Sequence, residues 1–87
     1  MSLNILITSS GGSLVPYAIR SLQQSQRHPN TSVFSVDVNK EAVSRYVADG
    51  FDVVPSGLDP LYVNRMLEIC ERRDISLVIP WSDEEAL

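Results

Sequence analysis

Four short runs of apolar residues recur along the chain and predict the strands of a parallel sheet. The runs are Ile5–Thr8, Val33–Val36, Phe51–Val54 and Leu77–Ile79. The first and last show no alternation with polar residues, which is typical of strands buried on both faces. We therefore expect the first strand to lie at the centre of the sheet, with the second and fourth strands as its neighbours.

Residues with helical spacing lie between the runs. Val15, Ala18, Ile19 and Leu22 follow the i, i+3, i+4, i+7 pattern of a helix with one apolar face. Because strands and helices alternate, the chain is expected to form right-handed βαβ units. The predicted fold class is α/β, with a Rossmann-like parallel four-stranded sheet and flanking helices.

The second helix is predicted to be short, from Lys40 to Asp49. Asn39 is a suitable N-cap residue, and Gly50 suits the left-handed conformation that often ends a helix. The apolar residues of this segment are Ala42, Val43, Tyr46 and Val47.

The third helix has the clearest boundary signals. Asp59 can cap it and Pro60 fits the first helical position. Glu68 and Arg72 form a favourable i, i+4 pair on the exposed side. The predicted apolar stripe consists of Val63, Met66, Leu67 and Cys70.

Composition and charge limit what the chain can bind. Its 87 residues suffice for one domain, and a net charge of -4 disfavours nucleic acids and anionic membranes. The apolar runs are far shorter than the roughly 20 residues that cross a bilayer. A single cysteine, Cys70, agrees with a reducing compartment. We therefore expect a cytoplasmic protein.

The two ends of the chain affect the expected domain bounds. Residues 1–3 resemble a vector-derived start, so the domain is expected to span residues 4–87. Ser82 and Glu85 have the spacing of a capping box, which would begin a helix shortly before Leu87. We therefore expect a domain that is incomplete at its C-terminal end. Apolar surface near the fourth strand would then be exposed, and the chain would self-associate with Trp81 in the contact.

A segment rich in serine and glycine follows the first strand. Ligands of parallel sheets bind at the carboxyl ends of the strands, where this segment would lie. It lacks two of the three glycines of a G-x-G-x-x-G fingerprint, and no lysine of a phosphate-binding loop is nearby. A plain tight turn and a ligand or interdomain contact therefore both remain open. The candidate residues are Ser9, Ser10, Gly11 and Gly12.

Two further positions complete the candidate site. Asp37 ends the second strand, where it either caps the following turn through Asn39 or contacts a ligand. Trp81 follows the fourth strand and could pack in an interface or stack on a ligand. The acidic residues after it are explained by a helix N-terminus.

Three stretches of the sequence resemble a known family. They are "NILITSSGGS", "VFSVDVN" and "ADGFDVVPSGLDPLYVNRMLEICERRDISLVIPWSDEEA". Together they resemble the N-terminal pre-ATP-grasp domain of ATP-grasp ligases, especially carbamoyl-phosphate-synthase-like proteins. The resemblance covers nearly all of Asn4 to Leu87.

The resemblance implies a substrate-side domain that packs against a downstream ATP-grasp domain and faces a small-molecule acceptor substrate. ATP and magnesium would be bound by the parent protein, with no cofactor bound and no catalysis by this chain alone. The parent would join a carboxylate to an amine or ammonia. A small NAD(P)- or nucleotide-binding Rossmann module is the alternative. The residues implied to face the ligand or the next domain are Ser9, Ser10, Gly11, Gly12, Asp37, Trp81, Ser82, Asp83 and Glu84.

Overall fold

The computed structural model of the chain describes residues 3–8, 14–24 and 30–80. The strands in this part are β1 (Leu3–Ile7), β2 (Thr31–Asp37), β3 (Gly50–Val53) and β4 (Leu77–Ile79). The helices are α1 (Val15–Gln23) and α2 (Tyr62–Arg72), and a single 3₁₀ turn spans Val43–Tyr46. No helix among these residues is both long enough and apolar enough to cross a membrane.

The strands form one parallel sheet in the order β3-β2-β1-β4. Ile5 of β1 is paired with Val33 of β2 on one side and with Leu77 of β4 on the other. The predicted α/β class and the central position of the first strand are thus confirmed. β1 begins at Leu3, two residues before the predicted run Ile5–Thr8, and the Leu3 N–H donates to the Asn30 carbonyl at 3.3 Å.

Alternation along the strands divides the core between the two faces of the sheet. Ile5 and Ile7 of β1 pack with Val15 and Ile19 of α1. Leu6, between them in sequence, belongs to a second cluster that also contains Val36, Val54 and Ile69. Because successive side chains of a strand point to opposite faces, one strand supplies both clusters. The two helices therefore cover opposite faces of the sheet.

The second predicted helix is wrong in extent. Only the 3₁₀ turn Val43–Tyr46 forms, and Ala42 before it has an extended backbone (φ -54°, ψ 137°). Gly50 does not end a helix in the left-handed region; it opens β3 with negative φ. The physical reason lies in Asp49, whose carboxylate accepts a hydrogen bond from the Val33 N–H of β2 at 2.7 Å. That bond places Gly50 in the sheet.

The start and orientation of α2 also differ from the prediction. Asp59 accepts from the Leu61 N–H at 2.8 Å, but the helix begins only at Tyr62, so Pro60 precedes it. Ile69 is the buried residue of α2, whereas Val63 and Leu67 of the predicted apolar stripe are exposed. The predicted pair of Glu68 and Arg72 does form, at 3.2 Å.

β4 is less buried than its uninterrupted apolar run predicts. Leu77 and Val78 are 49% and 41% exposed. β4 is an edge strand that is bonded on one side to β1, and α2 packs nearer the centre of the sheet on Leu6 and Val36. The expectation of burial on both faces is therefore wrong for β4.

A candidate ligand groove at the carboxyl edge of the sheet

β1 and β4 end side by side at the edge where the candidate loops begin. Thr8 is 2% exposed, and its N–H donates to the Ile79 carbonyl at 3.1 Å. Thr8 and Pro80 are the last described residues before the segments that hold most of the predicted site. Those predicted residues lie outside the described part of the chain: Ser9, Ser10, Gly11, Gly12, Trp81, Ser82, Asp83 and Glu84.

Asp37 is the predicted site residue whose surroundings the structure does describe. Its carboxylate accepts from the Asn39 N–H at 3.0 Å, which is the capping contact that the sequence offered as one alternative. Its carbonyl accepts from the Val54 N–H at 3.0 Å. Asp37 is half-buried and also lines a groove. The turn-capping role is therefore present, and the same residue borders space that a ligand could occupy.

The groove has a volume of about 950 Å³ and lies beside the carboxyl ends of the strands. It runs from the edge of the sheet along one side of α2, and its lining is mainly apolar. Its lining residues are Thr8, Asp37, Val38, Val54, Pro55, Ser56, Gly57, Leu58, Tyr62, Val63, Met66, Leu67, Cys70, Val78 and Pro80. A cleft of this size and character is suited to a small molecule with an apolar part and a few polar groups.

An ion-pair cluster on the other side of α2 fixes the wall of the groove. Asp52 of β3 accepts hydrogen bonds from Arg73 at 2.7 Å and from Arg72 at 2.9 Å. Arg65 donates to the Val53 carbonyl at 3.4 Å and pairs with Glu68. These contacts tie α2 to the end of β3. The loop between them, which supplies the wall of the groove, is thereby held at both ends.

The electrostatics of Asp52 reflect two opposing effects. Burial disfavours the charged carboxylate, but the hydrogen bonds from Arg73 and Arg72 and the charges of these arginines outweigh it. The net result lowers the pKa of Asp52 below its ordinary value. Asp52 therefore stays ionised at neutral pH and serves as the anchor of the cluster.

The groove supports binding chemistry. Its polar lining residues include Asp37, Thr8 and Ser56. Burial raises the pKa of the Cys70 thiol, so this side chain is a neutral, weakly polar part of the wall. Within residues 3–8, 14–24 and 30–80, no three His, Cys, Asp or Glu side chains are grouped as a metal site would require.

Sequence reasoning missed the residues that form the groove wall. Pro55, Ser56 and Gly57 follow directly after β3, so their place at the carboxyl edge follows from the strand order. Met66 and Cys70 were assigned to a stripe that packs on the sheet, but they also border the groove. The usable signal was a parallel strand followed by a proline- and glycine-containing loop, which commonly marks the ligand edge.

The Ala48-Asp49 pair of the quoted stretches has a structural explanation. The Asp49 carboxylate accepts from Val33 of β2 and from the Gln23 side chain of α1 at 3.2 Å. The Gln23 side chain also donates to the Val47 carbonyl at 2.9 Å. These bonds join α1, β2 and the start of β3. The role of Asp49 is thus to position elements, at a distance from the groove lining.

Comparison with known proteins identifies the family. A search of curated proteins gave no match. The family model described as "PylC-like, N-terminal domain" matches residues 5–87, nearly the whole chain. The parallel Rossmann-like sheet agrees with that assignment. The chain therefore belongs to the PylC-like N-terminal domain family and is a domain of the pre-ATP-grasp type.

Proposed function

We propose that this chain is the substrate-side N-terminal domain of an ATP-grasp ligase that joins a carboxylate to an amine or ammonia. The family match over residues 5–87 supports an ATP-grasp context. The groove that ends at Asp37 supports a role in holding a small molecule. The groove is the observation that carries the proposal, because it lies at the carboxyl ends of the strands, where ligands of parallel sheets bind.

The groove fits the acceptor substrate better than it fits ATP. The charged side chain that lines it is a carboxylate, Asp37, which would repel a triphosphate. We therefore assign ATP and magnesium to a downstream ATP-grasp domain. Asp37 and Ser56 would orient the polar end of an acceptor, while Met66 would contact its apolar part.

More specifically, we propose that the parent ligase is carbamoyl-phosphate-synthase-like. In such a ligase a carboxylate oxygen attacks the terminal phosphorus of ATP and ADP leaves. The resulting acyl phosphate is attacked by the amine nitrogen, and phosphate leaves. This chain would contribute the acceptor side of that site and would release no phosphate from ATP by itself.

A dinucleotide-binding module is less well supported. Such a module uses an acid at the end of the second strand to bind ribose hydroxyls. Here the glycine pattern that would bind the pyrophosphate is incomplete.

The test is made in the ligase that carries this domain. Phosphate release from ATP is measured as a function of acceptor and of ATP concentration, in wild type and in Asp37→Asn. We expect the KM for the acceptor to rise about tenfold or more, because a hydrogen bond to a charged group is lost, while the KM for ATP is unchanged.

Asp74→Asn is the matched control. Asp74 is exposed, lies at the opposite end of β4 and has a left-handed backbone (φ 53°) that asparagine tolerates. The control should leave both KM values unchanged. A rise in the KM for ATP alone after Asp37→Asn would overturn the proposal.

A further inference from the structure

An apolar surface remains exposed on the side of α2 that faces β4. We define it as the α2 flank, which consists of Leu58, Val63, Leu67 and Val78. These four side chains are 88%, 62%, 63% and 41% exposed, and all of them border the groove. Leu and Val residues exposed singly are ordinary, but a contiguous set is typical of an interaction surface.

Three charged residues of α2 lie away from the α2 flank, whereas the exposed Glu71 lies one helical turn beyond Leu67, at the end of the flank. Arg65 and Arg72 both pair with Glu68, and both lie on the side of the helix that faces Asp52 of β3. Two copies of a chain with net charge -4 repel each other overall. Contact between copies is therefore least opposed where the surface is uncharged, as it is along Val63 and Leu67.

The size of the surface suits a small homodimer. The exposed fractions amount to apolar area on the order of 500 Å² per copy, within the range of large patches on soluble proteins. Two copies would bury about 1,000 Å² of apolar area, and homodimer interfaces are about 65% apolar. The full interface would then reach about 1,500 Å², which is close to the standard size for a specific complex.

We propose that the α2 flank is an interface between two copies of this chain, related by a two-fold axis that crosses α2 between Val63 and Leu67. A two-fold interface brings the same patch of both copies together. Val63 and Leu67 are one helical turn apart, so Val63 of one copy meets Leu67 of the other. Val78 of β4 then closes the side of the contact. This inference is independent of the proposed function, since it concerns the flank and not the Asp37 end of the groove.

The test introduces opposite charges at the two positions that meet across the axis. Val63→Lys and Leu67→Glu are made separately, and sedimentation equilibrium is run over about 1–100 μM, a range in which micromolar association is measurable. Each variant alone should be monomeric, because the new charge would be buried without a partner against an apolar side chain of the other copy. A 1:1 mixture of the two should recover the dimer.

Matched controls come from the opposite face of the molecule. Val43 is 59% exposed and Leu14 is 67% exposed, close to the values of Val63 and Leu67. Val43→Lys and Leu14→Glu should therefore dimerise as the wild type does. Circular dichroism of each variant checks that the fold is kept.

A measurement on the wild type needs no variant. On dilution, amide NMR shifts should change at α2 and around Val78 and stay constant at α1. A wild-type monomer throughout the concentration range would overturn the proposal. So would controls that disrupt association as strongly as the α2-flank variants, or dilution shifts that map to α1.

Discussion

Arg73 lies over the ring of Phe34, with 4.8 Å between the guanidinium carbon and the ring centroid. Gly50 of β3 is paired with Phe34 of β2 and lies directly under this contact. A methyl group on Gly50 would come within 2.8 Å of the Phe34 ring and would also meet the Arg73 guanidinium. Arg73 can stack on Phe34 and reach Asp52 because residue 50 has no side chain.

The first prediction follows from that contact. Gly50→Ala should lower the free energy of unfolding by about 1–3 kcal/mol, because the packed ring and the paired guanidinium must move apart. Urea denaturation at fixed protein concentration measures the change.

Gly57→Ala is the control for Gly50→Ala. An added methyl group at Gly57 meets nothing within 4 Å, and its φ is not positive. Its effect should lie between zero and a stabilisation of about 1 kcal/mol. Equal destabilisation by both substitutions would show that loss of glycine flexibility, and not crowding at Arg73, is the cause.

The second prediction concerns pH. The pKa of Asp52 is lower in the folded state than the ordinary value of about 3.9, so the unfolded state binds more protons between these two values. The stabilisation by Asp52 is therefore complete above the unfolded pKa and is lost as the pH falls through the folded pKa. Urea denaturation at pH 7, and at several pH values below about 4, measures this loss.

Asp52→Asn should remove that pH dependence. At neutral pH it should cost about 1–3 kcal/mol, since the Asp52 side chain is 12% exposed and accepts two charge-assisted hydrogen bonds. Asp74→Asn, at an exposed position, should change neither quantity. An unaltered acid dependence in Asp52→Asn would assign the effect to other carboxylates.

The strand pattern could be predicted because it is a local property of the sequence. The runs around Ile5, Val33 and Val78 are short and apolar, and the unalternated run at Ile5 indicated the central strand that the sheet has. The extent of the second helix could not be predicted, because the hydrogen bond between Asp49 and Val33 joins residues that are 16 positions apart. Periodicity does not report such a bond.

The orientation of α2 could not be predicted from the sequence for a similar reason. Its apolar stripe predicts that Val63 and Leu67 face the sheet, yet the arginines on its other side pair with Asp52 of β3. A charged residue within an apolar strand, such as Asp52 of β3, needs a partner of opposite charge, and here the arginines of α2 and its C-terminal end supply it. The place of Asp37 at the carboxyl edge could be predicted, whereas the groove wall depends on how α2 packs.

The third prediction addresses Asp49. Asp49→Ala leaves the buried Val33 N–H without its side-chain acceptor and should cost about 1–3 kcal/mol in unfolding free energy. Asp49→Asn keeps one acceptor oxygen and should cost less. Glu41→Ala removes a carboxylate whose pair with Arg45 is exposed and 3.9 Å long, and should change stability little. A loss in Glu41→Ala as large as that in Asp49→Ala would point to net charge as the cause.

The fourth prediction concerns the reactivity of Cys70. Because burial raises the pKa of its thiol, the thiolate that reacts with alkylating reagents is scarcer at pH 8 than in an unfolded chain. Iodoacetamide should therefore modify the folded protein more slowly than the protein in urea, and the rate should still be rising above pH 9. Mass spectrometry of timed samples measures both rates.

Because Cys70 borders the groove, Leu67→Glu should accelerate modification if it separates the two copies, whereas Leu14→Glu should not. Equal rates for the folded and unfolded chains would show that the thiol is not shielded.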